Sequence, residues 1–395
     1  MKLLLPIFIS LVSIKALAQE GGTDIVIGKS HVIHSKILNE KRHYAVYLPD
    51  GYSNKSSHPK SYPVMYVLDG ESHFHSVSGI VDARSPFYLP QMIVVAIGNT
   101  DRWRDLTPTS NDSLLEKPNS KAKTTGGGEK FLDFIEKELI PHIDKTYLTA
   151  PFRLFVGHSL GGLLALYSAY SRPGLFNAFI AIDPTVGWDD TMVIKKFEEE
   201  AMQAKLANKS FFLGLSNRNN GNSSKRLTTD RAVDRIVTTL QTSGASGLRF
   251  NYEKYETETH GSVPLFAELD GLHFIFEKYR INIESDSPDA AKLKTHFERF
   301  SEDVHFSFLP PEVVVNVVAY NFMVQKEYDK ALECYLLNIE NYPKSSSAYL
   351  TVGDIYRDKK GDRKKALEYY ERYLKINPGA TMVKNRIKAL TEDDQ

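Results

Sequence analysis

Cysteine is almost missing from this chain of 395 residues. Cys334 stands alone, so no internal disulfide can form and a disulfide-stapled scaffold is excluded. Net charge is missing as well: Lys and Arg total 49, and Asp and Glu total 49. No Lys/Arg run with interleaved aromatics occurs, which argues against a dedicated nucleic-acid binder. Past the N-terminal segment, no run reaches the ~18 apolar residues of a membrane-spanning helix. There is no H-E-x-x-H and no paired cysteine spacing, and neither a P-loop nor G-x-G-x-x-G is present. No metal and no cofactor is expected. What is present suits a soluble globular protein: 42% hydrophobic and 25% charged residues, in a length that favours two domains.

The N-terminus reads separately. Met1-Lys2 is followed by the apolar stretch Leu3 to Ile14 and by Ala16-Leu17-Ala18. A positive start, a short apolar run and an A-x-A site predict a signal peptide over residues 1–18. Twelve apolar residues are too few to span a bilayer. Cleavage removes Lys2 and Lys15 and leaves a net charge of −2. Export without disulfides fits a secreted protein of a bacterial periplasm.

Strand and helix signals alternate through the middle of the chain. His31 to Leu38 and His43 to Leu48 read as an edge hairpin. Tyr62 to Leu68 and Met92 to Ile97 are solidly apolar, as expected of strands covered on both faces. Phe131, Phe134, Ile135, Leu139 and Ile143 mark one face of a helix. Strands follow at Arg153–Val156, Phe179–Ile182, Phe211–Leu215 and Leu248–Tyr255, with helical stretches between them and a last helix near Leu265–Tyr279. This pattern predicts an α/β domain over residues 25–282, a doubly wound and mostly parallel sheet.

After the charged stretch Glu284 to Asp289 the strand signals stop. Ala331 and Pro343 stand twelve apart, as do Ala366 and Pro378, with Tyr335 and Tyr370 four after each alanine. The 35-residue offset resembles the tetratricopeptide period, and it predicts a small all-α domain over residues 290–390 with two such units.

The chemical signal is Gly157-His158-Ser159-Leu160-Gly161. Alone, G-x-S-x-G turns up by chance in about one of seven chains this long. Here it follows a strand and opens a helix, the context in which a serine is held above a sheet on a tight turn. A serine needs a base. His260, after the strand ending at Tyr255, lies in the right chain order. His73 and His75 are candidates to line the cleft, His158 adjoins the serine, and His273 reads as structural. The oxyanion donors are expected at the N–H of Leu160 and at Gly70 or Glu71, in the loop after the third strand. Asp69 reads as a turn or cap residue.

These residues resemble the putative-esterase family of α/β-hydrolases, which includes siderophore, feruloyl and acetyl-xylan esterases. The resemblance spans about His31 to Tyr279. It rests on Tyr44-Ala-Val-Tyr-Leu-Pro, Tyr66-Val-Leu-Asp-Gly70, Asn99-Thr-Asp-Arg-Trp-Arg-Asp-Leu-Thr-Pro108, Gly126-Gly-Gly-Glu-Lys-Phe131 and His260-Gly-Ser-Val-Pro264. It implies an α/β-hydrolase fold and a serine carboxylic-ester hydrolase using Ser159 and His260. The substrate would be a small-molecule or glycan ester, foremost a ferric-catecholate trilactone, with feruloyl or acetyl carbohydrate esters as the alternative. The acid departs from the family's plain pattern. Its usual loop reads Ser216-Asn217-Arg218-Asn219-Asn220-Gly221, without a carboxylate. Asp183, the helix-borne Asp230 or Asp234, and a Ser–His dyad all stay open, with Asp183 favoured; Glu256 and Glu258 read as solvated strand-end residues. Arg102 and Arg104 either line the pocket or pair with Asp101 and Asp105. A non-catalytic scaffold that binds a protein partner through its helical repeats is the competing reading.

Overall fold

The structure, a computed structural model, describes residues 24–52, 61–117, 120–217 and 223–392; the expected signal segment 1–18 lies outside them. Among the described residues, eight strands form one sheet: β1 (Lys29–Ser35), β2 (Glu40–Tyr47), β3 (Tyr62–Val67), β4 (Ile93–Ile97), β5 (Thr149–His158), β6 (Ala178–Ile182), β7 (Ser210–Ser216) and β8 (Arg249–Tyr255). Their order is β1-β2-β4-β3-β5-β6-β7-β8. The β1–β2 hairpin is antiparallel and joins β4 antiparallel. From β4 to β8 every neighbour runs parallel.

Parallel strands need crossover helices, and both faces of the sheet are covered. The helices of this part are α1 (Gly70–Arg84), α2 (Arg102–Asp105), α3 (Asp112–Leu115), α4 (Gly128–Phe134), α5 (Ile140–Thr146), α6 (Leu160–Ser171), α7 (Met192–Phe197), α8 (Met202–Leu206), α9 (Ser223–Gln241) and α10 (Val263–Ile275). The helix expected after Gly128 is interrupted by a π-helical turn at Ile135–Leu139 between α4 and α5.

Strand residues alternate between two cores. Val64, Tyr66, Phe155, Phe179 and Phe211 face one layer with Phe131 and Leu163. Met65, Val67, Leu154, Val156, Ile180 and Phe212 face the other with Val77, Val81 and Leu272. Each such side chain taken fully out of water stabilises the fold by about 1.5–3 kcal/mol. The order reverses between β3 and β5: the chain leaves β3 toward β4 and leaves β5 toward β6. Clefts in open α/β sheets form at the carboxyl ends of strands at such a reversal, and Asp69-Gly70 and Ser159 follow these two strands.

Beyond residue 282 the described chain is helical: α11 (Ile283–Asp286), α12 (Ala290–Val304), α13 (Glu312–Val324), α14 (Tyr328–Asn341), α15 (Ser346–Ile355), α16 (Arg363–Ile376) and α17 (Thr381–Glu392). Asp289 caps α12 by accepting from the Lys292 N–H, and Asp362 caps α16 through Lys365. Ala331 and Ala366 are fully buried in the cores of this region. Helix α12 is shared. Its Leu293 belongs to the helical core, while Phe297, Phe300 and Val304 pack with Phe152 of β5 and with Phe276 and Tyr279 just past α10.

Candidate active site

Strand β5 ends in a turn that only certain residues allow. Ser159 has φ 61° and ψ −114°, a conformation rare for a side-chain-bearing residue, and such strain collects at functional sites. A Cβ on Gly157 would lie 2.3 Å from the Gly161 carbonyl, so position 157 must be glycine. Gly161 sits against Leu68 and Asp69, which brings the turn after β3 onto the first turn of α6. The N–H groups of Leu160 and Gly70 each open a helix, where backbone donors have no intrahelical acceptor.

Strand β6 delivers Asp183, and β8 with its following loop delivers His260. Asp183 has φ 40°, its N–H donates to the Gly214 carbonyl at 2.7 Å, and its side chain is buried. The Ser216 hydroxyl donates to Asp183 Oδ2 at 2.7 Å. The same oxygen accepts from His260 Nδ1. On the other side of the ring, the Ser159 hydroxyl donates to His260 Nε2 at 3.1 Å. The loop carrying His260 is tied to the end of β7: the Asn217 N–H donates to the Glu258 carbonyl at 2.8 Å and its side-chain amide to the Glu256 carbonyl at 2.6 Å. Serine, imidazole and carboxylate thus form one line of proton-passing contacts, the arrangement that activates a hydroxyl for attack on a carbonyl.

Other residues singled out in the sequence fall elsewhere. Asp234 is exposed on α9, and the Asp230 side chain lies outside the described residues. His75 is exposed. His73 is buried, with Nδ1 2.7 Å from Glu268 Oε1. The His158 ring lies tilted against that of His260, and burial, reinforced by the charges of His260 and His73, lowers its pKa to about 4. His273 is half-buried and lowered by burial.

Asp69 precedes α1 at φ 52° but makes no side-chain cap. Arg102 grips it instead, Nε to Oδ1 at 2.6 Å and Nη2 to Oδ2 at 2.9 Å. Asp101 caps α2 through the Arg104 N–H rather than pairing with either arginine. Arg104 pairs with Glu40 and Asp105, and the fully buried Arg42 reaches Asp105 at 2.6 Å. Sequence reasoning missed Ser216 and Thr185, whose Oγ1 lies 3.4 Å from Ser159 Oγ. Their hydroxyls sit 57 and 26 residues from Ser159 without motif, and only the strand order brings them in.

The three side chains open into a cleft of about 1110 Å³ that Arg102, Trp103, Lys117, Thr185 and Trp188 also line. The two indoles lie 6.4 Å apart. Among the described residues, no group of three or more His, Cys, Asp or Glu is placed to hold a metal ion, and no helix is long and apolar enough to cross a membrane.

Comparison with known proteins follows the same lines. The ferri-bacillibactin esterase BesA of Bacillus subtilis is 29% identical over 240 residues, 57% of this chain and 82% of that one. A siderophore triacetylfusarinine C esterase of Aspergillus fumigatus is 28% identical over 137 residues, 33% of this chain and 47% of its own. The crystal structure of an IroE-like serine hydrolase from Shewanella oneidensis superposes with a TM-score of 0.67 at 27% identity, over 79% of this chain and 99% of that one. An uncharacterised Capnocytophaga ochracea protein shares the fold over 92% of this chain and 99% of its own, at TM-score 0.59 and 18% identity. That share is too large to leave out the C-terminal helices. The family described as "Putative esterase" matches residues 35–236, more than half of the chain, and the chain belongs to this family of α/β-hydrolases.

Proposed function

We propose that the protein is an exported serine esterase that hydrolyses siderophore esters through an acyl-serine intermediate. One observation carries the reading: Ser159 Oγ lies 3.1 Å from His260 Nε2, while Nδ1 of the same ring meets buried Asp183. His260 takes the Ser159 proton as the oxygen attacks the ester carbonyl carbon. The oxyanion is held by the N–H groups of Leu160 and Gly70 at two helix N-termini. His260 then returns the proton to the leaving alkoxide, and the acyl-serine forms. A water that gives its proton to His260 attacks this ester, and the acid and free Ser159 are released. Asp183, supported by Ser216, holds the ring and stabilises its cationic form.

The substrate class rests on the cleft and on the relatives. A volume of about 1110 Å³ is large for a simple ester. Two indoles suit aromatic rings, and Lys117 suits anionic oxygens. A ferric-catecholate trilactone offers both, and the named relatives include siderophore esterases. The two-domain division at residues 25–282 and 290–390, the tetratricopeptide-like character of the helices and export by way of residues 1–18 belong to the same proposal. The buried pairs Ala331/Ala366 and Tyr335/Tyr370 support the repeat reading, and Gly353, which leaves room for the Tyr370 ring, does so as well.

The test uses p-nitrophenyl acetate and a fluorophosphonate probe on wild type and Ser159→Ala. We expect labelling and turnover in wild type and a loss of about 10⁴-fold or more in kcat in the variant. Labelling that persists without Ser159 refutes the nucleophile, and a wild type inert to every ester supports the scaffold reading. A panel of ferric-catecholate trilactones, feruloyl sugars and acetylated glycans then tests the class. Trilactones should have the highest kcat/KM; a preference for the sugars overturns the siderophore assignment.

A further inference from the structure

Two hydrogen bonds do not fix the pose of an imidazole. His260 is held through Nδ1 by Asp183 and through Nε2 by Ser159. An imidazole nitrogen bonds in the plane of its ring, so both contacts resist least a roll of the ring out of that plane by rotation about Cβ–Cγ. Rolling swings the Nε2 lone pair away from the direction in which it must take the serine proton. The His260 side chain is 54% exposed, so its surroundings resist this motion only where something packs on the face of the ring.

The His158 ring does. His158 ends β5, with its ring centroid 4.5 Å from that of His260 and the planes 41° apart. Strand alternation puts residue 158 on the same face as Leu154 and Val156, toward α1 and α10. There His73 of α1 meets the His158 ring edge-on at 5.8 Å. His73 in turn is fixed by Glu268 of α10, which is 1% exposed. Helix α10 begins three residues after His260, and the Val263 N–H donates to the Thr259 carbonyl at 3.0 Å. The helix that anchors the wall therefore also anchors the loop that bears the base. Among the described residues, His158 Nε2 is buried and makes no hydrogen bond, so this nitrogen is unused while the tilted ring packs against His260.

We infer that His158, backed by His73 and Glu268, is a positioning residue whose ring face sets the roll of His260 for proton transfer. The inference rests on the serine-hydrolase reading above. It assigns His158 no proton of its own to move: what acts is a neutral aromatic surface.

The experiment compares His158→Ala, His158→Leu and His158→Phe in the full chain, with p-nitrophenyl acetate turnover and the rate of fluorophosphonate labelling as readouts and circular dichroism to check folding. Removing the ring should lower kcat and the labelling rate together by about 10–100-fold, the scale of a misplacement near 1 Å, with KM nearly unchanged. Leucine fills the volume without a flat face and should recover part of the rate. Phenylalanine restores the face and should return kcat to within about threefold of wild type. If His158→Ala fails to fold, the leucine–phenylalanine pair carries the comparison. Equal rates in wild type, His158→Ala and His158→Leu overturn the inference, and so does a phenylalanine variant as slow as the leucine one. A wild type that neither turns over nor labels refutes the hydrolase reading instead, so the two failures are distinguishable.

Discussion

Asp183 occupies a backbone conformation that aspartate seldom adopts, φ 40° at the end of β6, and that turn aims its carboxylate across to His260. The oxygen that meets His260 also accepts from the Ser216 hydroxyl. Asp183→Asn keeps the shape but removes the charge that favours the protonated imidazole. It should lower kcat by about 10³–10⁴-fold, read as p-nitrophenyl ester turnover with the fold intact by circular dichroism. Unchanged turnover would leave a Ser–His dyad. Asp183 is less visible in the sequence than Ser159 or His260 because no periodicity or motif records a positive φ or the hydroxyl 33 residues away that steadies it. The serine announces itself through glycines that sterics require, and His260 through its place after a strand. A second consequence at this scale concerns acid. Burial holds the pKa of His158 at about 4, while an unfolded histidine titrates near 6.5. Between these values the unfolded chain binds a proton that the folded one resists, so stability is intact above pH 6.5 and falls as the pH drops toward 4. His31 and His273, also lowered by burial, act in the same direction. His158→Phe should flatten the fall in Tm between pH 6.5 and 4; an unaltered slope would remove His158 from the account.

The elements around the cleft are braced by contacts that no short motif reveals. Arg42 of β2 is fully buried, donates to Asp105 at 2.6 Å and to the Gly98 carbonyl at 2.9 Å, and lies 4.9 Å from the Phe131 ring. The loop from Asn99 to Pro108 is thus nailed to the edge hairpin by one half of its charged residues, while Arg102 faces Asp69 and the cleft. The sequence shows two arginines and two aspartates around Trp103, and only the fold decides that Arg104 and Asp105 are structural. Asp105→Ala removes one of the two carboxylates on the buried Arg42 guanidinium, leaving Glu40 at 2.9 Å, and should cost about 3–5 kcal/mol, measured by urea unfolding. A cost below 1 kcal/mol would mean that Glu40 alone satisfies Arg42. The elbow makes a stricter demand. At 2.3 Å from the Gly161 carbonyl, the extra methyl of Gly157→Ala can be relieved only by moving strand against helix. Overpacking of this kind costs about 1–3 kcal/mol, and the shift carries Ser159 with it, so kcat should fall further than stability.

At the scale of the whole molecule, the strand-to-helix change near residue 284 was legible from periodicity, but the way the parts pack was not. Helix α12 carries an apolar face for each side. Leu293 packs with the helical core, and Phe297, Phe300 and Val304 pack with Phe276 and Tyr279, just past α10, in the core beside the sheet. The Tyr279 ring meets Phe297 at 5.3 Å and Phe300 at 5.5 Å. A helix buried on both sides couples the two cores, and the chain contains its own reporters of that coupling. Its two tryptophans, Trp103 and Trp188, lie in the α/β part, and its one cysteine lies in the helices. Cys334 is buried, and that burial pushes its thiol up to about 12, so it should stay inert to a disulfide reagent at neutral pH until α14 opens. In a urea titration, tryptophan fluorescence and Cys334 labelling should therefore change at one midpoint, as in a single cooperative transition. Phe300→Ala removes a buried ring from the shared helix and should destabilise by about 3–5 kcal/mol, moving both midpoints down together. If only the tryptophan signal moves, α12 belongs energetically to the sheet alone, and the helices beyond it fold as an independent appendage.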